Sequence, residues 1–194
     1  MSQEPGTPRK WAQDLEERAH VCSGIEPWAR YPREPIRFVR EVLGGELWSR
    51  QAEILEAVRD HPQVTVRSGH GVGKTFVAAC AALWWLYSFR PSLVLTTAPT
   101  ARQVEALLWG EIRRLKRRAQ KRSDAGVALP GRCLATRLVV SEDQEAVGLS
   151  TNEPERFAGW HREHLLAPQL APQHLPHKPD RLRLVARQLP DPNP

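Results

Sequence analysis

The chain has no run of about eighteen uncharged apolar residues, so no membrane-spanning helix is expected. Its first residues, MSQEPGTPRKWAQDLEERAH, contain no apolar core, and no secretory signal is expected there. Cysteine is scarce: Cys22, Cys80 and Cys133 lie more than fifty residues apart. That spacing offers neither a metal-ligand pair nor a disulfide framework, and predicts reduced thiols in a cytosol. Internal repeats are absent. Acids are outnumbered, 22 against 28 Lys and Arg, giving a net charge of +6 and a pI near 9.7. That balance permits a polyanionic partner without requiring one. What remains is ordinary for a soluble domain: 194 residues, 41% hydrophobic and 26% charged, enough for one buried core with extensions.

Residues 1–33 are polar and interrupted by prolines, with one helical candidate over 11–20. Residues 34–165 are periodic. Ile36, Phe38, Val39, Val42 and Leu43 fall at helical spacing and stop at Gly44 and Gly45. Leu47, Trp48, Gln51, Ile54, Leu55 and Val58 predict a second helix, broken at His61 and Pro62. Val64, Thr65 and Val66 read as a buried strand. A glycine-rich turn from Gly69 to Gly73 leads into a strongly apolar helix over 75–89, where Trp84 and Trp85 are expected to pack in the core. Residues 93–97 read as a second buried strand, and 101–120 as a helix with a basic end. Strand, glycine loop, helix, strand, helix is a βαβ pattern, which predicts a parallel sheet with helices on both faces. Residues 134–150 read as a hairpin turning at SEDQE. Residues 166–194 hold seven of the seventeen prolines and read as a disordered tail without secondary structure.

The segment VTVRSGHGVGKT over 64–75 is the most informative. A nucleoside triphosphate needs a backbone that curls around its β-phosphate with N–H groups pointing inward, and glycines permit the curl. Gly69, Gly71 and Gly73 supply it, with His70 and Val72 as intervening positions of the same cradle. Lys74 would place an ammonium on the β- and γ-phosphates, and the Thr75 hydroxyl would bind Mg²⁺. Ser68 stands where the usual pattern has its first glycine. Strand before and helix after are the context in which this pattern binds phosphate. An ordinary glycine turn is the alternative.

In this region the chain resembles the large terminase subunit of tailed bacteriophages, the motor that packages DNA into capsids. The resemblance covers about residues 35–165. LWSRQAEIL over 47–55 is similar to the family's adenine-contacting motif, which implies that Gln51 reads the base edge; otherwise Gln51 is a polar residue of an amphipathic helix. RSGHGVGKT over 67–75 resembles its phosphate loop (Walker A), with Arg67 as a candidate catalytic, charge-neutralising arginine or a surface residue at a strand end. VLTTAPTARQV over 94–104 resembles the motif after the second strand, shared with helicases; there Thr96, Thr97 and Thr100 serve coupling, or merely end a strand and cap a helix. ERFAGWH over 155–161 resembles the segment ahead of the second acidic motif (Walker B). The resemblance implies an incomplete P-loop NTPase fold of the RecA/helicase-like type, with ATP and Mg²⁺ as cofactors. It also implies double-stranded DNA, the small terminase subunit and the portal protein as partners, and the bacterial host cytoplasm as location. No membrane partner is implied, and a homo-oligomer only for the full-length family protein. A helicase-like DNA-dependent ATPase, or a prophage remnant that binds nucleotide or DNA without hydrolysis, is the alternative.

An ATPase of this class needs apolar strand residues followed by Asp for Mg²⁺ and Glu to activate water. After 155–161 the chain reads HLLAPQLAPQHLP, and Pro168 and Pro172 argue against a central strand. From Leu166 onward the only acids are Asp180 and Asp191. The tail resembles translation in a shifted frame, so the expectation is a segment truncated before Walker B, with the nuclease part missing and little or no turnover. The acids Glu142 and Asp143 read as a hairpin turn rather than a substitute. The run RRLKRRAQKR over 113–122, seven positive charges in ten residues, suits a solvated helix end or the phosphates of DNA.

Overall fold

The computed structural model describes residues 28, 30–69, 71–122, 129–150, 163–170 and 180–188. The helical candidate over 11–20 and the motif over 155–161 lie outside the described residues. Helix α1 (Pro35–Glu41) starts with proline in its first turn, where the missing N–H costs nothing. It stops where the sequence places two glycines: Gly44 adopts φ 62° and the Gly45 N–H returns to the Val39 carbonyl at 2.8 Å. Helix α2 (Ser49–Asp60) buries Gln51, Leu55 and Val58. Strand β1 (Gln63–Ser68) runs into the glycine loop and then into α3 (Lys74–Ser88), whose residues from Val77 to Ser88 are all buried. A helix apolar on every side belongs at the centre of a domain, and α3 is the central helix here.

Strand β2 (Ser92–Ala98) follows, buried throughout, and leads to a long helical segment. That segment has one short α-turn, α4 (Ala101–Gln103), a π-helical stretch over Val104–Leu108, and α5 (Trp109–Arg122). The remainder is β-structure: β3 (Arg132–Cys133), β4 (Arg137–Ser141), β5 (Gln144–Ser150), β6 (His164–Leu170) and β7 (Asp180–Gln188). The seven strands form one sheet in the order β1-β7-β6-β2-β5-β4-β3.

The class is α/β, but the sheet is mixed rather than parallel. β2 runs parallel to β5 and β6, whereas β7 is antiparallel to both β6 and β1, and β4 is antiparallel to β5. Chain length explains the difference. A parallel return needs a crossover of roughly a dozen residues or more. Only Glu142 and Asp143 separate β4 from β5, and only 171–179 separate β6 from β7. The hairpin expected over 134–150 is present as β4 and β5, with SED at its turn.

Three further expectations are corrected. β1 is an edge strand among the described residues, not a buried one: of the described strands it pairs with β7 alone, and Gln63, Thr65 and Arg67 face solvent on alternate positions. Pro168 does sit in a central strand. It is accommodated because the β2–β6 register runs Ser92↔His164, Leu93↔Leu165 and Val94↔Leu166, then resumes at Thr97↔Gln169, so the proline has no β2 partner and pairs only with Leu184 of β7. The segment 166–194, read as a tail without secondary structure, carries the end of β6 and all of β7. β7 alternates Leu182, Leu184 and Ala186, buried, with exposed Arg183, a half-buried strand pattern despite the flanking prolines.

Helices on both faces were expected; among the described residues they cover one. Val94, Ala98, Ala146, Leu166, Leu182 and Leu184 join the helices in the main core, while Leu93, Leu95, Val147 and Leu149 form a separate cluster on the opposite face. Trp84 and Trp85 are fully buried and meet edge-to-face at 5.7 Å, as their core role predicts. Trp84 Nε1 donates to the Tyr31 carbonyl at 2.8 Å, which ties the segment ahead of α1 to the central helix. Among the described residues no helix is long and apolar enough to cross a membrane.

Candidate functional site

β1 delivers the chain to the glycine loop at the edge of the sheet, and α3 takes it away. Gly71 and Gly73 adopt φ 74° and 81°, a region in which a side chain costs about 1–2 kcal/mol. Gly73 is constrained twice, because a Cβ there would lie 2.5 Å from the Gln51 amide nitrogen. Around Gly69 and Gly71 a Cβ would meet nothing within 4 Å, so the outer rim of the loop is open. His70 lies outside the described residues.

Lys74, the first residue of α3, folds its side chain back over the loop. Its ammonium donates to the Ser68 hydroxyl at 3.2 Å, the Ser68 carbonyl at 3.4 Å and the Gly69 carbonyl at 2.5 Å. The cation therefore stands over the loop, with these loop oxygens among its partners. Thr75 follows it, partly exposed on the first turn of the helix.

Gln51 is brought to the same loop from α2. It is buried, its amide donates to the Val72 carbonyl at 3.4 Å, and its carbonyl oxygen accepts the Trp48 N–H at 3.4 Å. Trp48 was read only as an apolar residue of the helix face. Instead it precedes α2, is 52% exposed, and lines a cleft of about 580 Å³ with Gln51, Arg67, Ser68, Val72 and Lys74. The signal that marks it is position: a large aromatic immediately before a helix start, three residues ahead of Gln51, is displayed at the end of the helix rather than buried along its face. The cleft thus offers an indole surface, an amide and an ammonium in succession, a set that suits a planar base followed by phosphates. Arg67 is exposed on the outer face of β1, opposite in alternation to Ser68.

The threonines of the second motif have structural partners. Thr96 Oγ1 accepts from Trp109 Nε1 at 2.8 Å and donates to the Val147 carbonyl at 3.3 Å. Thr100 caps α4, its hydroxyl accepting the Gln103 N–H at 3.3 Å. Thr97 is buried on the opposite face of the sheet from Thr96. Asp143 lies at the start of β5, at the sheet edge away from the glycine loop, where it accepts from Arg90 at 2.9 Å and from Ser141 at 2.6 Å. The turn reading of Glu142 and Asp143 accounts for that placement.

The basic run of α5 divides by face. Lys116 is buried and donates to the Leu129 carbonyl at 2.6 Å, and burial pushes its ammonium below the ordinary lysine value. Arg113 donates to the Glu105 carbonyl at 3.2 Å, and Arg114 pairs with Glu111 at 2.9 Å. Arg117, Arg118, Lys121 and Arg122 are exposed. Among the described residues there is no group of three His, Cys, Asp or Glu side chains arranged to hold a metal ion. No protein-family model, curated protein or solved structure matches the chain.

Proposed function

We propose that the chain binds Mg-ATP in the cleft between α2, β1 and the glycine loop, as the ATP-binding segment of a phage or prophage large terminase subunit. The observation that carries the nucleotide reading is the convergence of Lys74 and Gln51 on one glycine loop from two different helices. Gly69, Ser68 and Gly71 to Gly73 form the phosphate cradle, with His70 inside it by sequence. Lys74 exchanges its loop oxygens for phosphate oxygens, and Thr75 offers a hydroxyl to the magnesium ion. Trp48 stacks on the base and Gln51 reads its edge. Arg67 lines the same cleft and neutralises phosphate charge from its rim.

The terminase reading rests on the order of the segments 47–55, 67–75 and 94–104 along the sequence. Its implied partner is double-stranded DNA, for which the exposed cations of α5 supply a phosphate-binding face; contacts with the small subunit and portal follow from the family alone. A second reading, nucleotide binding without hydrolysis, is favoured by one observation. The four strands that end at the loop side of the sheet finish in Ser68, Ala98, Ser150 and Leu170, none of which is the glutamate that activates water. Nucleotide binding is tested by melting: Mg-ATP at about a hundred times its dissociation constant adds roughly 2.7 kcal/mol of stability to a native state that binds it. A raised melting temperature in the wild type and none in Lys74→Ala is expected. An unshifted wild type contradicts the proposal.

A further inference from the structure

We propose that the outer edge of β1 binds an extended peptide as an added antiparallel strand, in the groove between β1 and α2. The favoured ligand reads, from its N-terminal side, acidic residue, apolar residue, threonine, apolar residue. This binding goes beyond the nucleotide reading and does not depend on it.

Backbone register decides which groups the edge offers. Gln63 pairs with Val185 in the antiparallel β1–β7 ladder, so Pro62 stands opposite Ala186, and the Ala186 N–H donates to the Pro62 carbonyl at 2.9 Å. Directly opposed residues bonded in this way form a hydrogen-bonded pair, and such pairs alternate along an antiparallel ladder. Val64, Val66 and Ser68 therefore turn their N–H and C=O groups toward β7. Gln63, Thr65 and Arg67 turn theirs outward, where no described strand pairs with them. The ladder runs through six pairs without a bulge, so the outward groups form a regular template.

The space beside this edge is concave. The cleft of about 580 Å³ is lined by every residue from Val64 to Ser68, side chains of both faces of the strand, so it follows the edge rather than one face. Trp48, Ile54 and Ala57 form its opposite, apolar wall. When a peptide adds to a sheet edge, main-chain bonds supply affinity and alternate side chains supply specificity. Each added side chain shares a face with the residue it opposes. Opposite Val64 and Val66, which pack against the main core, it meets the apolar wall. Opposite Arg67 it meets an exposed guanidinium, which selects a carboxylate. Opposite Thr65 a second threonine is a favourable cross-strand neighbour. Antiparallel pairing is the more stable arrangement, and it puts the acidic residue first.

Fluorescence anisotropy of the full chain with a labelled peptide carrying Glu-Val-Thr-Val at its centre tests the assignment, and micromolar binding is expected. N-methylation of the peptide threonine removes the N–H that faces β1 and should weaken binding about tenfold or more. N-methylation of the second valine, whose N–H points away, should change it by no more than about twofold. In the protein, Thr65→Pro deletes an outward donor while sparing the β7 ladder, and should match the threonine methylation. Arg67→Glu should weaken this peptide about two- to fivefold and favour Lys-Val-Thr-Val by a similar factor. Valine methylation as damaging as threonine methylation overturns the proposal, as does equal binding of the reversed order Val-Thr-Val-Glu. If Thr65→Pro does not fold, the methylated peptides still decide the matter, since they need only the wild type. A wild-type dimer in sedimentation that Thr65→Pro abolishes would put a second copy on the edge and overturn the peptide assignment. A folded wild type that binds Mg-ATP but not the peptide overturns this proposal alone. One that binds the peptide but not Mg-ATP removes only the nucleotide reading.

Discussion

The placement of Lys74 and Gln51 at the glycine loop was legible because it depends on sequence order: a lysine directly after the loop, and a glutamine in the first turn of the preceding helix. The exposure of Trp48 on the cleft was not, since it depends on where α2 starts. At Gly73, two independent constraints act on one residue, positive φ and the approach of Gln51. Gly73→Ala should therefore lower stability by about 1–2 kcal/mol or more and weaken ATP binding in parallel, read by denaturant melts and by titration. Lys116 gives a pH-dependent prediction. Burial lowers its folded-state value, while the unfolded chain keeps the ordinary 10.5. The unfolded state therefore holds the proton over a window in which the folded state has released it, and stability rises with pH across that window. Lys116→Met should remove this rise, so the difference in melting temperature between the variant and the wild type should shift in favour of the wild type as the pH approaches 10.5. A pH-independent difference would contradict the assignment.

At the scale of elements, the helices and β1 were readable from local pattern. Period 3.6 marks α1, with its glycine stop, and α2, with its break at His61 and Pro62, and an unbroken apolar stretch after a glycine loop marks α3. β6 was hidden because proline removes a ladder donor, a rule that holds only where the register demands that donor. Here the β2 pairing steps past Pro168. β7 did carry a signal, the alternation of Leu182, Leu184 and Ala186 with Arg183, which the surrounding prolines outweighed. Sheet direction was beyond local pattern altogether, since it depends on how many residues separate β6 from β7. Amide exchange tests these two strands: protection at Leu166, Leu182 and Leu184 should approach that of β2, because all three are buried in the common core. Exchange as fast as an unstructured peptide at Leu182 and Leu184 would contradict the mixed sheet.

For the whole molecule, the fold gathers a glycine loop, a lysine and a cleft of about 580 Å³ at one edge of the sheet and leaves an exposed cationic helix end in α5. Binding to double-stranded DNA should weaken steeply with salt, and Arg117→Glu with Arg118→Glu should reduce it equally for unrelated sequences, lowering the salt slope by about two. Filter binding across a salt series measures both. The central claim is nucleotide binding, and calorimetric titration of the wild type and Lys74→Ala with Mg-ATP tests it most directly. One site per chain in the wild type, weakened about tenfold or more in Lys74→Ala, is the predicted result. No heat of binding in a folded wild type, or equal affinity in the two proteins, would contradict it.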